Sequence, residues 1–231
     1  MWLMGKQPIV AFDFDGTLVD SYSVIESAFG IALQRKYPWL PGKSIFAKLL
    51  TRIEMHFERP RYGSSKFRAP KFFNFGLFRE WFKVRAEQTR PIDNAPELLK
   101  KLKEMGCVVV SFSAEDFVEG MKVERLKKAG LYYLFDEVVV FGPKLSIGEG
   151  LKLLRKKFGK RPLVWVDDKP WRFLGNVDEY TYPVWYRFPI TSKFLDVDDP
   201  RIKSIPRLSI IDDLWQVIDV VKNISQTMRE G

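Results

Sequence analysis

The sequence predicts an α/β fold: a doubly wound, Rossmann-like parallel sheet with a mostly helical unit inserted near its start. Three observations lead there. From residue 91 onward, short Val- and Ile-rich runs alternate with helical patterns, as right-handed βαβ crossovers require. The runs are nearly continuous in apolar residues, which suits strands covered on both faces. Between the first run, IVAF, and the second, CVVVSF, lies a long stretch of different composition. Residues 21–90 hold 14 Lys/Arg and 5 Asp/Glu, whereas the rest of the chain holds 24 of each. The whole net charge of +9 therefore sits in that segment, with 14 of the 34 aromatic residues. Such a shift marks a separate unit. The division expected is 1–20 with 91–231 as the core, and 21–90 as a basic, aromatic-rich helical insertion.

The elements follow in order. Residues 8–14 read as a buried strand. Apolar residues at helical spacing predict helices over 22–36, 43–58 and 75–88; Ile45, Leu49, Ile53 and His56 or Phe57 illustrate the second. RPRYGSSKFRAPKF, between the last two, reads as a loop. Asn94 is placed to cap a helix running to about 105, with Pro96 in its first turn and Gly106 past its end. Strand 107–112 follows, then a helix over 114–129, strand 137–141, a helix over 146–158 and strand 162–166. A short helix near 170–176, strand 182–187 and a last helix at about 212–224 complete the pattern. In 188–208, Asp196, Asp198 and Asp199 invite a calcium reading. The run lacks the Gly and closing Glu of a calcium loop, so a solvated loop is expected.

Composition narrows the function. The chain has 231 residues, 46% hydrophobic and 29% charged, as for a globular protein. No apolar run approaches a membrane span, and MWLMGKQPIV lacks a secretory pattern. Cys107 is the only cysteine and reads as an inert strand residue, so a reducing, cytoplasmic setting is expected. His56 is the only histidine, which excludes His-pair metal sites.

Ligands of open parallel sheets bind beyond the carboxyl ends of the strands. Asp13 and Asp15 follow the first strand, Ser111 and Ser113 the second, Lys144 the third, and Asp167 and Asp168 the fourth. Four carboxylates thus meet at one rim. Each pair at about 4 Å costs on the order of 4 kcal/mol at an effective dielectric near 20, more than Lys144 can offset. A hard divalent cation, Mg²⁺, can offset it while also taking a phosphate oxygen. Asp13 is then placed to attack phosphorus, and Asp15 to protonate the leaving oxygen and later activate water. Ser111 and Lys144 would hold phosphate oxygens. Asp168, with Asp167, would hold the metal beside Asp13 and Asp15. Ser113 is the alternative to Ser111, and Lys169 the rival of Lys144. Asp167 could instead be a supporting or helix-capping acid.

DFDGTL (13–18), a strand-end Ser, a Lys before a helix, and WVDD (165–168) resemble the four motifs of the haloacid dehalogenase-like superfamily. KAGLYYLFDEVVVF (128–141) and LSIIDDLWQVI (208–218) resemble its helix-turn-strand and its final helix. The resemblance covers 8–20 and about 91–220 and implies a cap over 21–90 that selects substrate. Through Asp15 it implies a phosphatase acting by an aspartyl-phosphate. Ile25, where sugar phosphomutase relatives carry His, argues against a mutase. Lys144-Leu145 departs from the usual Lys-Pro.

The expected function is therefore a Mg²⁺-dependent phosphatase acting on a small phosphorylated metabolite. One alternative has the basic cap grip a nucleic-acid end or a phosphoprotein. Another keeps the fold as a non-catalytic binding or regulatory protein. Thr17 is expected to bond near the nucleophile or within its own turn, and Asp20 to cap the following helix. His56 and the run FFNFGLFREWF read as packing or surface before function.

Overall fold

In a computed structural model of the chain, residues 7–58, 76–92, 94–116, 118–142, 144–194, 196 and 198–230 are described. The loop expected between the second and third helices, 59–72, lies outside the described residues.

Strand β1 (Ile9–Phe12) is wholly buried and sits inside a six-stranded sheet. Its neighbours are β4 (Val108–Ala114) on one side and β6 (Leu163–Asp167) on the other, both parallel to it. Beyond β4 lies β5 (Glu137–Phe141); beyond β6 come β7 (Thr181–Tyr186) and β8 (Ser209–Ile211). The chain builds outward from β1 in one direction, returns, and builds outward in the other. The reversal beside β1 opens a crevice at the carboxyl ends of the strands.

Both sheet faces are covered because strand side chains alternate. Val10, Phe12, Val109 and Val164 face α4 (Ala95–Glu104) and α8 (Gln216–Glu230), which present Leu98, Leu102, Val217 and Val221. Ile9, Ala11, Val110 and Trp165 face α6 (Ile147–Phe158), which presents Leu151 and Leu154. Trp165 meets Phe112 and Phe173 edge to face, with centroids 5.4 and 4.8 Å apart. Full burial of such side chains contributes roughly 1.5–3 kcal/mol each.

The helical cap region consists of α1 (Ile25–Lys36), α2 (Lys43–Phe57) and α3 (Gly76–Gln88). Phe29 of α1 stacks flat on Trp81 of α3, centroids 4.3 Å apart, and Phe78 packs against both edgewise. Of the aromatic run at 72–82, Phe78, Trp81 and Phe82 are thus buried packing, while 72–75 lie outside the described residues. The chain leaves and re-enters the core through an antiparallel ribbon of β2 (Val19–Asp20) and β3 (Arg90–Pro91).

Several local expectations need correction. The helix expected over 114–129 is only α5 (Met121–Lys128). β4 runs on to Ala114, and the Glu115 carboxylate then accepts backbone N–H groups of Asp116, Gly120 and Lys122, closing a loop. Asn94 precedes α4 but makes no capping bond, because its backbone is left-handed, φ 67°. The helix near 170–176 is a single tight turn, Pro170–Arg172. The last helix starts at Gln216, because Ser209–Ile211 pairs with β7 as an edge strand too short to announce itself. In the acidic loop, Asp199 caps α7 (Pro200–Lys203) by accepting from Arg201 N, and Asp196 accepts from Asp198 N.

Candidate active site

β1 ends in a tight loop that fixes two carboxylates. Asp13 N donates to Val166 O at 2.9 Å, so the residue is still held by the sheet. Phe14 O then accepts from Leu18 N and Val19 N, turning the chain back. The turn needs Gly16, with φ +74°; a Cβ there would lie 2.4 Å from Asp168 Oδ2 and 2.6 Å from Tyr22. Only a hydrogen lets the loop lie this close to Asp168. Thr17 Oγ1 accepts from Asp168 N at 3.1 Å, tying the loop to the end of β6.

Three carboxylates converge there. One oxygen each of Asp13, Asp167 and Asp168 lie within 4.8 Å of one another, and all three residues are buried. Asp167 accepts from Lys169 N and from Arg172 Nη1, the latter at 3.0 and 3.2 Å. Burial pushes the Asp167 carboxyl up to about 6, against the pull of Arg172. Asp168 is pushed well above the usual carboxylate range by burial and by Asp167 and Asp13, with Lys169 pulling the other way. Neither Asp168 oxygen has a hydrogen-bond partner among the described residues. A buried carboxylate without a partner is costly. All-oxygen donors with unspent lone pairs on Asp168 fit a hard divalent cation.

Asp15 faces a different set. It is ion-paired to Lys122 and Arg125 of α5, and Arg85 of α3 stands 3.8 Å away. Burial opposes its charge, but Arg125, Lys122 and Arg85 together hold the carboxyl well below its usual range. Asp116 accepts from Arg125 at 3.0 Å and lies 3.2 Å from Lys122, so α5 bridges both acids. Both cations also lie over the Phe14 ring, 5.1 and 5.3 Å from its centroid.

The cap supplies the other wall. Glu58 pairs with Lys169, and Tyr22 Oη donates to it at 3.4 Å. Burial works against the charge of Lys169, but Glu58, with Asp168 and Asp13, outweighs it and holds its pKa well up. Arg85 donates to Ser21 O and Oγ at 3.3 and 3.2 Å. The cavity between cap and core has a volume of about 90 Å³. Six acids and four cations line it among the described residues, with Phe82 and Ala114 the apolar exceptions.

The structure brings together Asp13, Asp167 and Asp168, and Asp13 lines the cavity together with Asp15. It separates Asp15 from the three-acid cluster, since the α5 cations claim its oxygens. Ser111 pairs with Phe12, which puts it one step below Asp13; Ser113 lies one step above. Both hydroxyls are buried without partners among the described residues. Lys144 does not line the cavity: its side chain is 83% exposed and pairs with Glu119 at 2.6 Å. The loop after β5 carries it outward. Its place beside Asp13 is taken by Arg172, whose Nη1 lies 2.9 Å from Asp13 Oδ2. Asp20 accepts from Ser23 N just before α1, a turn role. Cys107 is buried, and burial pushes its thiol up to about 11, the state of an inert core residue. His56 lies on an exposed face of α2.

Arg172, Lys122, Arg125, Arg85 and Glu54 escaped the sequence reading. The one signal was on α5, where Lys122 and Arg125 interleave with the buried Met121 and Leu126 at helical spacing.

A family model described as haloacid dehalogenase-like hydrolase matches residues 8–174. No curated protein matches by sequence. Among solved structures, the chain resembles a putative HAD-hydrolase YfnB from Bacillus subtilis bound to magnesium, at TM-score 0.63 and 15% identity. It also resembles a predicted phosphoglycolate phosphatase from Haemophilus somnus 129pt, at TM-score 0.60 and 18% identity. L-2-haloacid dehalogenase from Xanthobacter autotrophicus aligns at TM-score 0.53 and 15% identity. Each alignment covers 94% of this chain and 99% of the other. These likenesses establish the shared fold. The match over residues 8–174, with the sheet order and the strand-end acids it contains, shows that the chain belongs to the haloacid dehalogenase-like hydrolase family.

Proposed function

We propose that this hydrolase is a Mg²⁺-dependent phosphatase that cleaves a small phosphomonoester through an aspartyl-phosphate on Asp13. The observation that carries this reading is the buried Asp13–Asp167–Asp168 cluster with both Asp168 oxygens unpartnered. Asp13, Asp167 and Asp168 would hold the metal, which when bound offsets negative charge on the reacting phosphoryl group. Asp13 supplies the nucleophilic carboxylate, buried in the lining of the cavity. Arg172, rather than Lys144, supplies the fixed positive charge beside it. Ser113 or Ser111 offers a hydroxyl from β4, the former nearer the rim. Asp15 is the acid and base, and its grip by Lys122 and Arg125 has to loosen as the phosphoryl group enters and competes for those cations.

The size of the cavity supports a small substrate. A site of about 90 Å³ accommodates a phosphoryl group and a few further atoms, since one water already needs roughly 10–15 Å³ by the same measure. Of the nine net charges of the cap segment, five lie at residues 59–75, outside the described residues. Among the described residues nothing favours a nucleic-acid end over a metabolite. The presence of Asp at position 15 supports phosphoryl transfer over carbon–halogen cleavage. The test is hydrolysis of p-nitrophenyl phosphate with Mg²⁺ and after its removal by a chelator. Metal-dependent release that vanishes in Asp13→Asn supports the reading. Turnover indifferent to both changes, or none on any phosphomonoester, removes it.

A further inference from the structure

Glu54 of α2 is ion-paired with Arg85 through one oxygen only, and its other oxygen has no partner among the described residues. It lines the cavity and is only 2% exposed. Its Oε1 stands 3.8 Å from Arg85 Nη1, too far for a hydrogen bond. Its Oε2 is buried with no hydrogen-bond partner among the described residues. The other cap-side groups are spoken for: Glu58 by Lys169 and Tyr22, Arg85 by Ser21. A buried carboxyl oxygen without a donor, on a residue that lines the cavity, is a group waiting for one.

We infer that Glu54 selects the leaving group, favouring phosphomonoesters whose alcohol carries a further hydrogen-bond donor, a hydroxyl or an amine. This rests on the phosphatase reading and names the substrate class it leaves open. The reacting phosphoryl group sits at Asp13, on the core side, so the rest of the substrate faces the cap. There Glu54 offers an acceptor, and, because burial and the neighbouring Glu58 push its carboxyl up to about 8, a donor as well. A hydroxyl can use both; an ammonium uses the ionised form. A purely alkyl leaving group leaves Oε2 unpaired, and sites built on a polar contact discriminate strongly against analogues that lack it.

The experiment compares specificity constants within matched pairs: glycerol 1-phosphate against propyl phosphate, and phosphoethanolamine against ethyl phosphate. In the unmodified protein at least one pair should favour the donor-bearing member by at least about tenfold. Glu54→Leu should collapse that ratio toward one, through KM more than kcat. Glu54→Gln, which keeps shape and a polar end, should preserve the hydroxyl preference and lose the amine preference. If the Leu variant fails to fold, equal constants in the unmodified protein, or an amine preference that survives in Glu54→Gln, still overturn the role of Glu54. Equal constants within both pairs overturn the role of Glu54 while leaving the phosphatase reading intact. A preference that survives in the folded Leu variant does the same. Failure to hydrolyse any member, with p-nitrophenyl phosphate also untouched, overturns the phosphatase reading and this inference with it.

Discussion

Arg172 Nη1 lies 2.9 Å from Asp13 Oδ2 and 3.0 Å from Asp167 Oδ2, bridging the candidate nucleophile and a member of the acid cluster. The guanidinium comes from the turn after β6, not from the loop after β5. It is held in place by the same acids whose repulsion it offsets, and they keep its pKa well above the usual range despite burial.

Removing that charge should be costly to catalysis. Arg172→Ala is expected to lower kcat/KM on p-nitrophenyl phosphate by about 10²–10³, the usual effect of losing one fixed transition-state donor. Lys144→Ala, by contrast, should stay within about twofold, because an exposed pair with Glu119 carries little. Steady-state kinetics on the two variants check this. The opposite ordering would return the role to Lys144.

Gly16→Ala should damage metal binding before it damages the fold. The added methyl would press on Asp168 Oδ2 and Tyr22 at a backbone angle that L-residues avoid. The expected outcome is a Mg²⁺ requirement shifted upward by at least about tenfold, since displacing one ligand carboxylate costs of the order of 1–3 kcal/mol. Activity titrated against Mg²⁺ measures it.

Glu54 makes stability depend on pH in a defined direction. Its carboxyl is raised to about 8 by burial and then by Glu58. A group raised on folding contributes fully below its unfolded value, near 4.5, and that contribution is lost as pH rises through the folded value. Between pH 7 and 9 the unmodified protein should lose about 1 kcal/mol from this group. Glu54→Gln cannot ionise and should be spared that loss. Denaturant unfolding of both proteins at pH 6, 7, 8 and 9 checks the sign: the difference should turn in favour of Gln as pH rises.

The sequence made some of this legible and hid the rest for physical reasons. Asp13, Asp167 and Asp168 were readable because a buried strand ends with its last side chains at a known rim, and the strand period announces itself locally. The core strands around Val10, Val109 and Val164 were readable for the same reason. Lys144 misled because a loop's direction depends on what its tip meets, here Glu119. Arg172 was hidden because a single tight turn, with no periodicity, decides where it points. Glu54 was hidden because its burial depends on where α2, packed on α1, sets it against Arg85 of α3 and the cavity, far away in the chain. The loop closed by Glu115 was hidden because a carboxylate taking three backbone N–H groups overrides helical spacing.

The most direct test is chemical. Asp15→Asn protein is mixed with Mg²⁺ and a phosphomonoester, quenched in acid and digested, and the peptide containing Asp13 is weighed. The account predicts one added phosphoryl group on that peptide, localised to Asp13 and absent from the Asp13→Asn protein. Turnover by the unmodified protein with phosphate trapped on another residue, or with none trapped under any quench time, would contradict it.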